Sequence, residues 1–78
     1  MAAAYIPRPN PSFLDGLERV KRSGTQRWRD PDQSIVFEYD RLHGHVEGYN
    51  RRGEHIGIFD VHTGHRIGQP VRGKKIDV

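Results

Sequence analysis

The sequence predicts an α+β domain that is mainly β, with a short N-terminal helix packed on an antiparallel meander. Three observations carry this expectation. Ile35, Phe37 and Tyr39 alternate with Val36, Glu38 and Asp40, the period of a strand with one buried face. Turn signals then recur at Asp30-Pro31-Asp32, Asn50-Arg51-Arg52-Gly53 and Asp60-Val61-His62-Thr63-Gly64, a rhythm that suits strands paired in sequence order. Ahead of them, Phe13, Leu14, Leu17 and Val20 fall on one helical stripe.

In chain order, Pro7, Pro9 and Pro11 make residues 1–11 an extended approach segment, because each proline fixes φ and removes a donor. Residues 12–78 form one domain. Ser12 is the expected N-cap of a helix over about 12–22, with Asp15 three residues on and Gly24 just past its end. The stripe covers an apolar face of a sheet spanning about 26–76. Trp28, between Arg27 and Arg29, either joins the core or stacks on a base. After Tyr49 the Asn50–Gly53 turn leads into a strand over Glu54–Asp60, and a short strand over His65–Gly68 precedes Pro70 and a basic tail.

The chain has 78 residues, of which 33% are apolar, so the core is small. There is no cysteine, which excludes disulfides and thiolate metal sites. Nothing resembles a transmembrane span or a secretory signal, and a soluble monomer without membrane binding is expected. Thirteen Lys and Arg against ten Asp and Glu give a net charge of +3. The basic residues gather at Lys21–Arg29, at Arg51-Arg52 and at Arg66–Lys75. Such clusters suit a polyanion such as RNA, or simply solubilise the surface.

The stretch from Asp40 to Tyr49 holds the candidate chemistry. Alternation puts His43, His45, Glu47 and Tyr49 on one side of their strand. If the chain reverses through a loop of two or four residues, Asp40 pairs with His43 or His45 and joins them, together with Glu38. This face, opposite the aromatic stripe, suits acid/base catalysis, a metal held by His43, His45 and Glu47, or a merely solvated sheet surface. His62 and His65 bracket the next turn, as solvent-facing groups or a second ligand pair.

Arg27-Trp28, then Glu38-Tyr39-Asp40-x-x-His43-Gly44-x-x-Glu47-Gly48-Tyr49, then Gly53-x-His55-x-Gly57-x-Phe59-Asp60-x-x-Thr63-Gly64 closely resemble the C-terminal cytotoxic domain of the ribonuclease-type colicins and cloacin. The resemblance runs from about Gly24 to Lys75. It implies a strongly twisted antiparallel sheet with an N-terminal helix. It also implies cleavage of small-subunit ribosomal RNA at the decoding site, arrest of translation in the cytoplasm of a target bacterium, and neutralisation by an acidic immunity protein. The family's catalytic carboxylate and histidine fall on Glu47 and His43, and its supporting aspartate on Asp40. Its C-terminal arginine is assigned to Arg72, with Lys74 or Lys75 able to compensate for a shorter spacing. His45 stands where family members carry an acidic residue. With no receptor-binding or translocation region, the chain reads as an excised toxin tip or a free-standing toxin.

RNA supplies its own nucleophile, the 2′-hydroxyl, so cleavage needs a base, an acid and a cation for the crowded phosphate, and no cofactor. Glu47 is assigned as base, His43 as acid, Asp40 as the group orienting His43, and Arg72 as phosphate clamp; the reverse order of base and acid stays open. Arg27, Arg29, His45, Tyr49, Arg51, Arg52, Lys74 and Lys75 are expected to contact the RNA. The competing readings are a non-catalytic RNA-binding module and a metal-dependent hydrolase.

Overall fold

A computed structural model describes residues 4–20, 24–32 and 34–78. Six strands, β1 (Glu18–Val20), β2 (Arg27–Asp30), β3 (Ile35–Asp40), β4 (His45–Tyr49), β5 (His55–Phe59) and β6 (Arg66–Gly68), form one antiparallel sheet in sequence order. The meander is the expected one, and its turns have the expected chemistry. Asp60 Oδ1 accepts from the backbone N–H groups of His62 and Thr63 at 2.8 and 3.0 Å. Gly53 closes the Asn50 turn at φ +82°, a conformation that favours glycine.

The expected helix over 12–22 is not there among the described residues. Phe13–Gly16 make a single 3₁₀ turn, Leu17 is already extended, and Glu18–Val20 form the edge strand β1; Lys21 and Arg22 lie outside the described residues. Helix nucleation fixes several residues for one hydrogen bond, and Gly16 costs about 1 kcal/mol relative to alanine inside a helix. Pairing with β2 satisfies the same backbone at once. The start of the turn does use the predicted residues, since Asp15 Oδ2 accepts from the Ser12 N–H at 2.8 Å.

The apolar stripe still covers the sheet. Leu14 is fully buried with Trp28, Phe37, Val46 and Val61, so Trp28 is a core residue. Phe37 sits at the centre, with Phe13 and Phe59 edge-on to it at 5.1 and 5.4 Å. Phe59 lies across Gly48 so closely that a Cβ there would stand 2.4 Å from its ring, which makes the small residue a packing requirement. Near the amino end, the Ile6 N–H bonds to the Arg41 carbonyl at 2.7 Å and the Tyr39 hydroxyl to the Ile6 carbonyl at 2.8 Å. This pins the Pro-rich segment across β3 and the following turn.

The C-terminal tail folds back on the start of β5. The His55 N–H donates to the Lys74 carbonyl at 3.0 Å, and the Ile76 N–H to the Gly53 carbonyl at 2.8 Å. A Cβ on Gly53 would lie 2.1 Å from the Ile76 oxygen. The tail is thereby brought beside the polar face of β4.

Candidate active site

Asp40 pairs with His45 and Glu38 with Glu47 across β3 and β4. The intervening turn therefore has four residues, the even length that gathers Glu38, Asp40, His45 and Glu47 on one face. His43 belongs to this turn. Asp40 Oδ1 accepts from the Leu42 N–H at 2.9 Å and more weakly from the His43 N–H at 3.4 Å. Its Oδ2 lies 2.6 Å from His43 Nδ1. The side chain of His43 is 66% exposed, so the pair presents an oriented imidazole to solvent.

Glu47 is nearly buried, with a side-chain exposure of 9%. Its Oε1 accepts from Lys74 Nζ at 2.7 Å and lies 3.0 Å from Nε2 of the fully buried His55 ring. The Val71 N–H donates to His55 Nδ1 at 2.8 Å. Nδ1 is therefore the acceptor and the ring proton sits on Nε2, directed at Glu47. The remaining oxygen, Oε2, has His45 Nε2 only 2.8 Å away, yet no donor aligned on it among the described residues.

Electrostatics keep both carboxylates ionised. Burial pushes the Glu47 carboxyl up, but the hydrogen bond and charge of Lys74 and the neighbouring His45 and His55 outweigh it, leaving it below the ordinary carboxylate value. Asp40 is likewise lowered: the His43 and turn contacts exceed the effect of burial. The Lys74 ammonium is raised, first by its hydrogen bond to Glu47 and against the effect of burial. Glu47 and Lys74 thus form a stable ion pair at neutral pH.

The expected RNA-contacting and catalytic residues are spread around this centre. Tyr49 is 2% exposed and packs edge-on against His55 at 5.3 Å, walling the site from beneath. Arg27 pairs with Glu38 at 2.8 Å and bonds the Asp77 carbonyl; Arg29 pairs with Glu18 at 2.8 Å. Arg27, Arg29 and Arg51 line a pocket of about 250 Å³, while Arg52 is exposed on the turn. Arg72 and Lys75 are exposed and line a groove of about 350 Å³ with His55 and Lys74. Lys74, rather than Arg72, is the cation on Glu47. His62 and His65 are exposed.

His55 is the site residue that alternation alone hides. Gly48 pairs with Gly57, but Tyr49 pairs with His55, leaving Ile56 as an extra residue in β5. This bulge reverses the parity of the strand and turns His55 from the core face to Glu47. A potential signal was the run Gly53-x-His55-x-Gly57, since glycine inside a strand often marks a bulge. The metal set suggested by spacing also changes: the donor atoms of Asp40, His43 and His45 lie within 4.8 Å of one another, and Glu47 instead faces Lys74 and His55.

The sheet thus sets a nearly buried, ionised glutamate beside a half-buried aspartate and the exposed histidine that it orients, with arginines and lysines around them. The chain belongs to the Cytotoxic family, that of the C-terminal nuclease domains of colicins and cloacin, with residues 7–77 matched. It is similar to cloacin and to colicin E3 of Escherichia coli, 31% identical to each over a 78-residue alignment, and to colicin-E6 of the same species, 28% identical. Each alignment covers 85% of this chain but 14% of the relative, so the chain spans only a small part of the proteins it matches.

Proposed function

We propose that this domain is a bacterial toxin endoribonuclease that cleaves small-subunit (16S) ribosomal RNA at the decoding site and so stops translation. The observation that carries this reading is the asymmetry of the Glu47 carboxylate. Oε1 is held by Lys74 and His55, whereas Oε2, buried with His45 Nε2 2.8 Å away, has no aligned donor among the described residues and can accept the proton of a 2′-hydroxyl once His45 turns aside. The 2′-oxygen then attacks the neighbouring phosphorus as the bond to the 5′-oxygen breaks. His43, oriented by Asp40, gives its proton to that leaving oxygen, producing a 2′,3′-cyclic phosphate and a 5′-hydroxyl. Lys74 and Arg72 supply positive charge for the phosphate. None of these steps passes through a metal.

The basic residues around the centre steer the domain to its target, and the folded RNA sets the linkage that is cut. A producing cell must restrain such an enzyme, and an acidic immunity protein fits the basic surface. Toxicity on expression alone, relieved by a co-expressed acidic neighbour, tests that partner. The function itself is tested by incubating purified ribosomes with the domain. Cleavage gives one discrete 3′ fragment of the small-subunit RNA and loss of translation; a binding module would leave the RNA whole.

A further inference from the structure

We infer that Asp40, His43 and His45 form a binding site for a divalent ion of the zinc type, and that filling it silences the nuclease. The binding half stands on geometry alone; the inhibitory half rests on the function proposed above.

Asp40 closes β3 and His45 opens β4 directly opposite it. The turn amides take Oδ1 of Asp40, so that oxygen anchors the turn while Oδ2 points between the two histidines, 2.6 Å from His43 Nδ1 and 3.3 Å from His45 Nε2. The imidazoles stack with centroids 5.2 Å apart and planes 10° from parallel. One donor atom from each of the three residues lies within 4.8 Å of the others. Metal–ligand distances of about 2.0–2.2 Å around a tetrahedral ion place ligand atoms roughly 3.3 Å apart. The Asp40–His45 separation already matches this, while the Asp40–His43 contact must open by about 0.7 Å and the two histidine nitrogens, within 4.8 Å of each other, must settle at the same spacing. The exposure of His43 and its place in a turn permit that shift.

Two imidazoles and one carboxylate favour zinc over magnesium or calcium, which prefer all-oxygen ligands. Three protein ligands leave a fourth position for water. A bound ion would occupy the imidazole that donates the leaving-group proton, along with the carboxylate that orients it. It would also draw His45 away from Glu47. His45 is the residue that makes the set possible, because Asp40 and His43 alone supply only two ligands.

The test begins with the protein alone. Co²⁺, as a visible probe, is expected to give a one-to-one absorption band that added Zn²⁺ bleaches. His43→Ala and His45→Ala should each lose it; His43 is exposed, so its variant keeps the fold, and circular dichroism checks both. Ribosome cleavage is then measured in Mg²⁺ buffer, with and without Zn²⁺ and a zinc-selective chelator that leaves Mg²⁺ in place. The wild-type rate should fall more than tenfold when the site is full and recover with the chelator, whereas His45→Ala, compared with its own zinc-free rate, should change by less than twofold. No Co²⁺ band, or one that survives in both variants, overturns the site. An unchanged or faster rate with zinc bound overturns the inhibition. A wild type that cuts nothing in either condition also removes the inhibitory half, because the nuclease reading itself has then failed, while the Co²⁺ titration still decides the site.

Discussion

Glu47 and Asp40 share one face of the sheet but live in unlike surroundings. Glu47 stands in the middle of β4, nearly buried, with one oxygen fixed by Lys74 from the tail and His55 from the next strand. Asp40 stands at the end of β3, held by the amides of a surface turn and facing an exposed histidine. Under the proposed function, the difference separates two tasks. A base that must meet one hydroxyl gains from rigid placement, whereas an acid that follows a departing oxygen gains from access to solvent. The site thus joins a rigid half, built by long-range packing, to a surface half made by six consecutive residues, 40–45.

The largest effect should come from the rigid half. Glu47→Gln keeps the shape and removes the proton acceptor, with an expected loss of about 10²-fold or more in single-turnover cleavage and retained ribosome binding. His43→Ala should lose a similar factor in the chemical step while its melting temperature stays near that of the wild type, because the ring is exposed. Wild-type cleavage by either variant would dissolve the division of labour.

His55→Ala sharpens the comparison, because this ring acts through Glu47. It should cost about tenfold in rate, within the range of a lost positioning contact. It should also destabilise the fold by about 1–3 kcal/mol, since the Val71 N–H and the Glu47 carboxylate lose a buried partner. Thermal unfolding and single-turnover cleavage read the two effects separately.

Lys74→Met should act through pH. The Lys74 hydrogen bond and charge are the largest of the effects that hold Glu47 below the ordinary carboxylate value against burial, so their loss raises the Glu47 pKa and moves the acid limb of the pH–rate profile upward. The stability linkage has the same origin. With the folded pKa depressed, Glu47 contributes stability that is fully present above the unfolded value and lost as pH falls through the folded one. In the variant that acid-side loss is smaller and is complete at a higher pH. An unmoved acid limb would separate Lys74 from the basicity of Glu47.

The smallest effects belong to the rim. Arg51→Gln with Arg52→Gln should slow association several-fold at low salt and flatten its salt dependence, because fewer counterions are released. The rate at saturating protein should fall less. Equal loss at saturation would place these arginines on the reacting phosphate.

The surface half was legible because its pattern is local. An aspartate, a four-residue turn and alternating histidine and glutamate suffice to put Asp40, His45 and Glu47 on one face. The rigid half was not, since it depends on a bulge that leaves Ile56 unpaired and on a tail that returns to β5. Spacing within a strand reports neither. The missing helix is the same lesson in the backbone: residues 17–20 fit a helical stripe, but the open edge of β2 gave Glu18–Val20 strand partners. Lys74 was visible as a basic residue and as a stand-in for Arg72, while its bond to Glu47 needed the folded tail.

In the proposed mechanism Glu47 and His43 cut RNA through its own 2′-hydroxyl. The most direct measurement maps both ends of the small-subunit fragment released from ribosomes, in Mg²⁺ buffer with the zinc-selective chelator present. The expected result is one cut leaving a 2′,3′-cyclic phosphate upstream and a 5′-hydroxyl downstream, absent with Glu47→Gln. Intact RNA, or a 5′-phosphate at the cut, would contradict it.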